Sequence, residues 1–265
     1  MCLIVFAYRY NLRLPLVIAA NRDEFHSRPS RAAQFWSSDQ QQGDLLAGQD
    51  LTQGGTWLGM TRGGRFAAVT NIRNPGATGG SKSRGFLTSD FLLGRQHAAD
   101  YLQQVRESLH DYAGFNLLLG DQQGLYYLNS ISGLIEKLEP GIYGLSNATL
   151  DSDWPKVNVG KEAIRSLMDE DNVSTDALTT IMMDRQPAPD TELPSTGIPL
   201  ELERQLSSSF IANPQRGYGT RCTTAIVING QGTARFSEQN YDADTKIISR
   251  QVFSFPLFDP QSQAA

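Results

Sequence analysis

Residues 2–24 read CLIVFAYRYNLRLPLVIAANRDE, two apolar runs separated by a short polar connection. Both runs, residues 2–9 and 14–21, are rich in β-branched and aromatic side chains, and residues 10–13 join them. This pattern predicts an antiparallel hairpin at the start of the chain. The second strand leads directly into Asn21, Arg22, Asp23 and Glu24, and hairpin pairing returns it towards its partner, which puts Arg22 and Asp23 near either end of the first strand, with the register left open.

The rest of the chain arranges strand and helix patterns in blocks. Strand patterns cover residues 54–60, 65–71, 115–120, 125–129, 134–138 and 142–146, with a helical period over residues 91–109. Two further helices are predicted from Pro155 and after Ser174, and strands return at residues 223–229, 234–237 and 247–255. Strands, then helices, then strands indicate a layered α+β fold. We expect one domain over residues 1–265, with a proline-rich loop at 187–199.

Composition excludes several classes of protein. The chain has 23 Lys and Arg against 28 Asp and Glu, a net charge of −5 and a pI of about 5.2, which argues against a nucleic-acid partner. Its two cysteines cannot form a disulfide framework, and no Cys or His spacing suggests a metal site. Without a secretory leader or a membrane-spanning apolar run, the expected location is the cytoplasm.

The most informative residue is Cys2. A small second residue normally leads to removal of the initiator methionine, which would leave Cys2 with a free α-amine. Such an amine has a pKa of about 7.7 to 8.0 and can act as the base for the neighbouring thiol. The alternative is a small buried cysteine at the start of an edge strand.

Three residues that follow the second strand are also candidates for the functional site. Arg22 would favour a thiolate, and Asp23 could orient the α-amine by hydrogen bonding, although a solvated charged turn is the alternative. His26 lies in the same charged segment and is a candidate ligand or proton carrier.

Short motifs in order along the chain resemble those of the NRDE family, which is the transport and Golgi organisation family. They are Met1-Cys2-Leu3-Ile4, Asn21-Arg22-Asp23-Glu24 with Arg28-Pro29, Gly54-Gly55-Thr56-Trp57-Leu58-Gly59, Thr70-Asn71, Ser83-Arg84-Gly85, Gly144-Leu145-Ser146-Asn147 and Tyr218-Gly219-Thr220-Arg221-Cys222-Thr223-Thr224. That family in turn resembles N-terminal-nucleophile (Ntn) hydrolases of the penicillin V acylase and bile-salt hydrolase type. The resemblance implies a four-layer αββα sandwich.

The resemblance also assigns roles to residues. It makes Cys2 the nucleophile, Arg22 and Asp23 its electrostatic partners, Asn71 and Asn147 the oxyanion donors, and Arg221 a further arginine near the thiol. The bile-salt hydrolase pattern separates its arginine and aspartate by two residues, whereas Arg22 and Asp23 are adjacent. Each of these residues also has a structural alternative. The two asparagines are typical turn formers at strand ends, and Arg221 can pair with a carboxylate. Cys222, next to Arg221, faces the opposite side of the strand and is interpreted as a core residue.

The sequence leaves three hypotheses for the function. The nearer family implies an intracellular protein that binds and mobilises haem, with haem as cargo, Cys2 and His26 as candidate contacts, and no catalytic cofactor. The wider fold implies an N-terminal cysteine amidohydrolase acting on a small amide-containing molecule. A third hypothesis is a scaffold used only for protein contacts.

Overall fold

The protein is represented by a computed structural model that describes residues 2–38, 41–76 and 80–258. Met1, whose removal the sequence predicts, lies outside the described residues. Within the described ranges no helix is both long and apolar enough to cross a membrane.

The described residues form fourteen strands and five α-helices. The strands are β1 (Cys2–Tyr8), β2 (Leu16–Phe25), β3 (Ser30–Ser38), β4 (Gln41–Asp50), β5 (Leu58–Thr61), β6 (Phe66–Asn71), β7 (Phe115–Asp121), β8 (Gly124–Asn129), β9 (Ile135–Lys137), β10 (Gly141–Leu145), β11 (Ala212–Asn213), β12 (Tyr218–Ile228), β13 (Thr233–Tyr241) and β14 (Ile247–Pro256). The helices are α1 (Gly85–Leu93), α2 (Ala98–Glu107), α3 (Pro155–Asp169), α4 (Thr175–Ile181) and α5 (Leu200–Gln205). Two sheets accompanied by helices confirm the predicted α+β class.

The chain divides into two compact units, and the first contains the opening hairpin. It comprises the described residues of 2–27, 72–76 and 140–254. Its sheet has the order β10-β1-β2-β12-β13-β14, with β11 paired to β12. One face of this sheet packs against α3 and α4, because alternate residues such as Leu3, Val5 and Ala19 join a buried core with Val157 and Ile164.

Two glycines allow α3 to lie close to this sheet. A Cβ atom built on Gly160 of α3 would lie 2.6 Å from Val5 Cγ1 on β1. A Cβ atom on Gly144 of β10 would lie 2.6 Å from Val157 Cγ1 of α3. The absence of both side chains therefore sets the distance between the helix and strands β1 and β10.

The second unit comprises the described residues of 28–71, 80–139 and 255–258. Its sheet has the order β3-β4-β5-β6-β7-β8-β9, with neighbouring strands antiparallel. Helices α1 and α2 cover one face, where Phe91, Leu102 and Val105 pack against Leu117 and Leu119 of β7.

The structure confirms most predicted elements and corrects several. The hairpin is present, with Leu3 opposite Asn21 and Tyr8 opposite Leu16. The helical period over residues 91–109 belongs to two helices, because α1 ends at Leu93 and α2 begins at Ala98. Strands β3, β4 and β11 and helix α5 were not predicted. Residues 21–24 continue β2 rather than forming a turn, since β12 pairs with them.

Candidate functional site

Three strands bring Cys2, Arg22 and Cys222 into one row. Arg22 of β2 lies directly opposite Cys2 on β1 and, on its other side, opposite Cys222 on β12. Residues opposite each other in antiparallel strands present their side chains to the same face of the sheet. The guanidinium of Arg22, whose side chain is buried, is therefore on the face that carries the Cys2 thiol.

Asp23 points to the other face of β2, because neighbouring residues of a strand alternate. Its carboxylate accepts a 2.7 Å hydrogen bond from the Thr220 hydroxyl, and the Tyr218 hydroxyl donates to its backbone carbonyl at 3.1 Å. Burial raises the pKa of Asp23, while the Lys156 ammonium acts to lower it. The two adjacent charges that the sequence singled out are therefore divided between the two faces.

The Cys2 thiol responds to charges from both faces. Its pKa is raised, first by burial and also by the charge of Asp23. Arg22 and a backbone hydrogen bond from Asp23 act in the opposite direction. Because the raised pKa leaves the thiol protonated near neutral pH, nucleophilic chemistry at Cys2 requires a base.

Arg221 occupies an irregular position on β12. The pairing of β12 with β2 shifts between Thr220 and Cys222, so Arg221 is the extra residue of a β-bulge. Its Nη1 donates to the carbonyl oxygens of Phe25 and His26 at 2.9 and 3.3 Å. These bonds place its guanidinium at the end of β2. Cys222 is buried, as predicted for a core residue.

The two candidate oxyanion donors belong to different units. Asn147 is buried in the first unit, just after β10, which pairs with β1. The Ser146 hydroxyl donates to the Cys2 carbonyl oxygen at 2.9 Å and lies 3.3 Å from Asn147 Oδ1, so Asn147 lies beside the start of β1. Asn71 is the last residue of β6 in the second unit. The first unit therefore groups Cys2 with Arg22, Asp23 and Asn147.

Sequence reasoning missed a buried lysine near this group. Lys156, in the first turn of α3, is only 4% exposed, and its Nζ donates to the Leu206 carbonyl oxygen at 3.0 Å. Burial lowers its pKa from 10.5 to about 8, and Asp23 acts against this shift. One sequence signal was available: a cation in the first turn of a helix is unfavourable to the helix dipole and needs another reason to be there.

Cys2 and His26 stay candidate haem contacts at separate places in the first unit, because His26 lies in the turn that follows β2. His26 lies four residues beyond Arg22, which corresponds to about 13 Å along an extended strand. No cluster of three or more His, Cys, Asp or Glu side chains suited to a metal ion occurs among the described residues. The pKa of His26 is lowered, first by partial burial and then by the Arg221 charge.

Comparison with protein families gives a clear result. The model of the family described as Transport and Golgi organisation 2 matches residues 1–243. This chain belongs to the Transport and Golgi organisation 2 family. The Transport and Golgi organization protein 2 homologs of Bos taurus and Homo sapiens are 35% and 33% identical to it, covering 85% and 91% of this chain and 86% and 92% of theirs. The predicted NRDE resemblance is confirmed.

A solved structure shows the wider relationship of the fold. The Caenorhabditis elegans N-acylethanolamine-hydrolyzing acid amidase ortholog covers 96% of this chain and 100% of its own, with a TM-score of 0.52 and 10% identity. The Ntn-hydrolase-like fold is therefore confirmed.

Proposed function

We propose that this chain is a cysteine amidohydrolase that uses the Cys2 thiol as its nucleophile. The observation that carries the proposal is the placement of Arg22 directly opposite Cys2, with Asp23 and Asn147 held beside the same strand end. A thiol, a cation, a carboxylate and a carboxamide are the groups that acyl transfer from an amide requires.

The proposed chemistry has two steps. After removal of Met1, the α-amine of Cys2 takes the thiol proton as the sulfur bonds to the amide carbon, and the carbonyl oxygen becomes an oxyanion. The Asn147 amide donates to this oxyanion, which collapses to a thioester as the α-ammonium of Cys2 passes its proton to the leaving amine nitrogen. Water then attacks the thioester, and the acid and the free thiol are released. Asp23 orients the amine, and Arg22 stabilises the thiolate.

The test combines intact-mass measurement with a substrate panel. We expect the purified chain to lack Met1, to gain the mass of an acyl group on Cys2 from small N-acyl amides, and to release the corresponding amine. Cys2→Ala should abolish both signals, whereas Cys222→Ala should retain them, because Cys222 is a buried core residue. Fully retained Met1, or equal turnover by Cys2→Ala, would contradict the proposal.

Haem binding and mobilisation is the second candidate function. It is favoured by sequence identity: the Bos taurus and Homo sapiens homologs are 35% and 33% identical to this chain, whereas the amidase is 10% identical. Titration with haem should then shift the Soret band, and an apo-acceptor should receive the haem. Because a haem cargo does not need the Cys2 nucleophile, Cys2→Ala should leave binding largely intact. A Soret band identical to that of free haem would rule this function out.

A further inference from the structure

The segment that follows β6 contains a buried arginine whose main chain contacts Asn147. Residues 72–76 belong to the first unit, and the backbone N–H of Arg73 donates to the Asn147 carbonyl oxygen at 2.8 Å. The Ser146 hydroxyl, which donates to the Cys2 carbonyl oxygen, lies 3.3 Å from Asn147 Oδ1. Asn147 is therefore held at two points, and Nδ2 is the atom of its side chain that can donate to an oxyanion.

The side chain of Arg73 is held in turn by three groups. Its guanidinium forms an ion pair with Glu203 of α5, in which the two side chains are 8% and 3% exposed. Its Cζ lies 4.8 Å from the centre of the Trp154 ring, and its Nη1 lies 3.4 Å from the Thr196 hydroxyl oxygen. A guanidinium that is buried between a carboxylate and an aromatic face has little freedom to move, so these contacts fix the position of Arg73.

Glu203 connects this arginine to the proline-rich loop. Its carboxylate accepts hydrogen bonds from both the backbone N–H and the hydroxyl of Thr196, which lies in that loop. A Cβ atom built on Gly197, the next residue, would lie 3.8 Å from Pro75 Cγ, so the loop passes close to the segment that carries the arginine. One carboxylate therefore joins the loop, α5 and this segment around a single buried cation.

We infer that Arg73 is a positioning residue for Asn147: the ion pair with Glu203 fixes its side chain, and its backbone N–H fixes the Asn147 peptide beside Cys2. The inference deepens the proposed function and rests on it for the role of Asn147 as oxyanion donor. Such a donor acts only at the correct distance from the developing charge, and a displacement of about 1 Å lowers a rate by about 10²-fold.

The first measurement is the hydrogen exchange rate of the Arg73 amide, followed by ¹H–¹⁵N NMR of the full chain. Glu203→Gln keeps Arg73 and its N–H but removes the charge that holds the side chain. We expect exchange at Arg73 to become faster by about tenfold or more, because a buried charge that loses its partner is strongly destabilised. The amide of Ile226, on β12 between β2 and β13, reports general unfolding and should change much less.

Arg204→Met is the matched control for this measurement. Arg204 follows Glu203 on α5 and forms an ion pair with Asp190 of the proline-rich loop, but both of its side-chain partners are well exposed. Because exposed ion pairs contribute little to stability, this change should leave exchange at Arg73 close to the unmutated rate.

Thr196→Val keeps the inference testable if Glu203→Gln does not fold. This variant removes only the hydroxyl that contacts Glu203 and Arg73, and it should make exchange at Arg73 about fivefold faster, the effect of one lost hydrogen bond. Unchanged exchange at Arg73 in the variant that folds, or an equal rise at Ile226, would overturn the inference.

Two reactions of Cys2 then separate positioning from general damage. Acylation by an N-acyl amide of the substrate panel passes through an oxyanion, whereas alkylation by iodoacetamide does not. The variant should therefore slow acylation by up to about 10²-fold with KM little changed, and it should leave the rate of alkylation unchanged. Acylation at the unmutated rate, or equal slowing of both reactions, would contradict the positioning role. A chain with the expected exchange at Arg73 and no acylation by any amide would contradict only the proposed function.

Discussion

At the scale of single residues, charge placement around Cys2 decides its reactivity. Burial raises the pKa of this thiol, and Arg22, directly opposite, lowers it. The reactive form is the thiolate, so any group that changes this pKa changes the rate of reaction with an alkylating reagent.

Replacement of Arg22 tests this account without any substrate. We expect Arg22→Met to slow the reaction of Cys2 with iodoacetamide at neutral pH by about tenfold, since one pKa unit changes the thiolate fraction tenfold. The measurement is the adduct mass against time in a Cys222→Ala background, which leaves one thiol. An alkylation rate equal to that of the chain that keeps Arg22 would show that the guanidinium does not act on the thiol.

Lys156 also makes stability depend on pH. Its pKa is about 8 in the folded chain against 10.5 when unperturbed, so between these values the unfolded chain binds more protons. Stability must therefore rise with pH over this window, by at most about 3 kcal/mol for this group. The measurement is the free energy of unfolding in urea, for the unmutated chain and for Lys156→Met, at several pH values between about 8 and 10.5. Parallel curves for the two proteins would contradict the assigned shift.

At the scale of elements, α3 lies close to β1, the strand that begins with Cys2. The approach depends on Gly160, whose Cβ position is 2.6 Å from Val5 Cγ1. Alanine at this position gains helix propensity but meets a well-packed side chain that has no space to move.

The paired substitution of Gly160 and Val5 tests this contact. Overpacking costs about 1–3 kcal/mol and helix propensity returns about 1 kcal/mol, so Gly160→Ala should destabilise the chain by about 1 kcal/mol. In a Val5→Ala background the same change should become neutral or stabilising, because the clash is gone. Chemical denaturation of all four proteins measures the coupling. Equal effects of Gly160→Ala in both backgrounds would show that the contact with Val5 does not cause the loss of stability.

At the scale of the whole molecule, the net charge of −5 and pI of about 5.2 determine the response to polyanions. We expect no binding of a labelled DNA duplex by fluorescence anisotropy, even at low salt, because the net negative charge of the chain repels a polyanion. A basic DNA-binding protein serves as the positive control. Saturable binding that weakens as salt is added would contradict this expectation.

The sequence predicted the fold class because its strands are marked by local patterns. The hairpin of β1 and β2, the helix after Pro155 and the cap at Ser174 depend on neighbouring residues, so local chemistry predicts them. Strands β3 and β4 were missed because polar side chains interrupt their apolar pattern. The division into two compact units was not predicted, and the single domain over residues 1–265 stays a prediction.

The candidate site, like the fold, was predicted from the sequence only in part. The sequence by itself predicted that Cys2 and Arg22 lie on one hairpin, because a short polar connection joins the two apolar runs, and family motifs supplied Asn71, Asn147 and Arg221. The register that sets Arg22 opposite Cys2 came from the structure. Only the tertiary structure decided that Asp23 shares a buried environment with Lys156, two residues 133 positions apart in the chain. The physical reason is that burial is a property of packing: a lysine has the same local sequence whether its ammonium reaches water or is enclosed by elements distant in the chain.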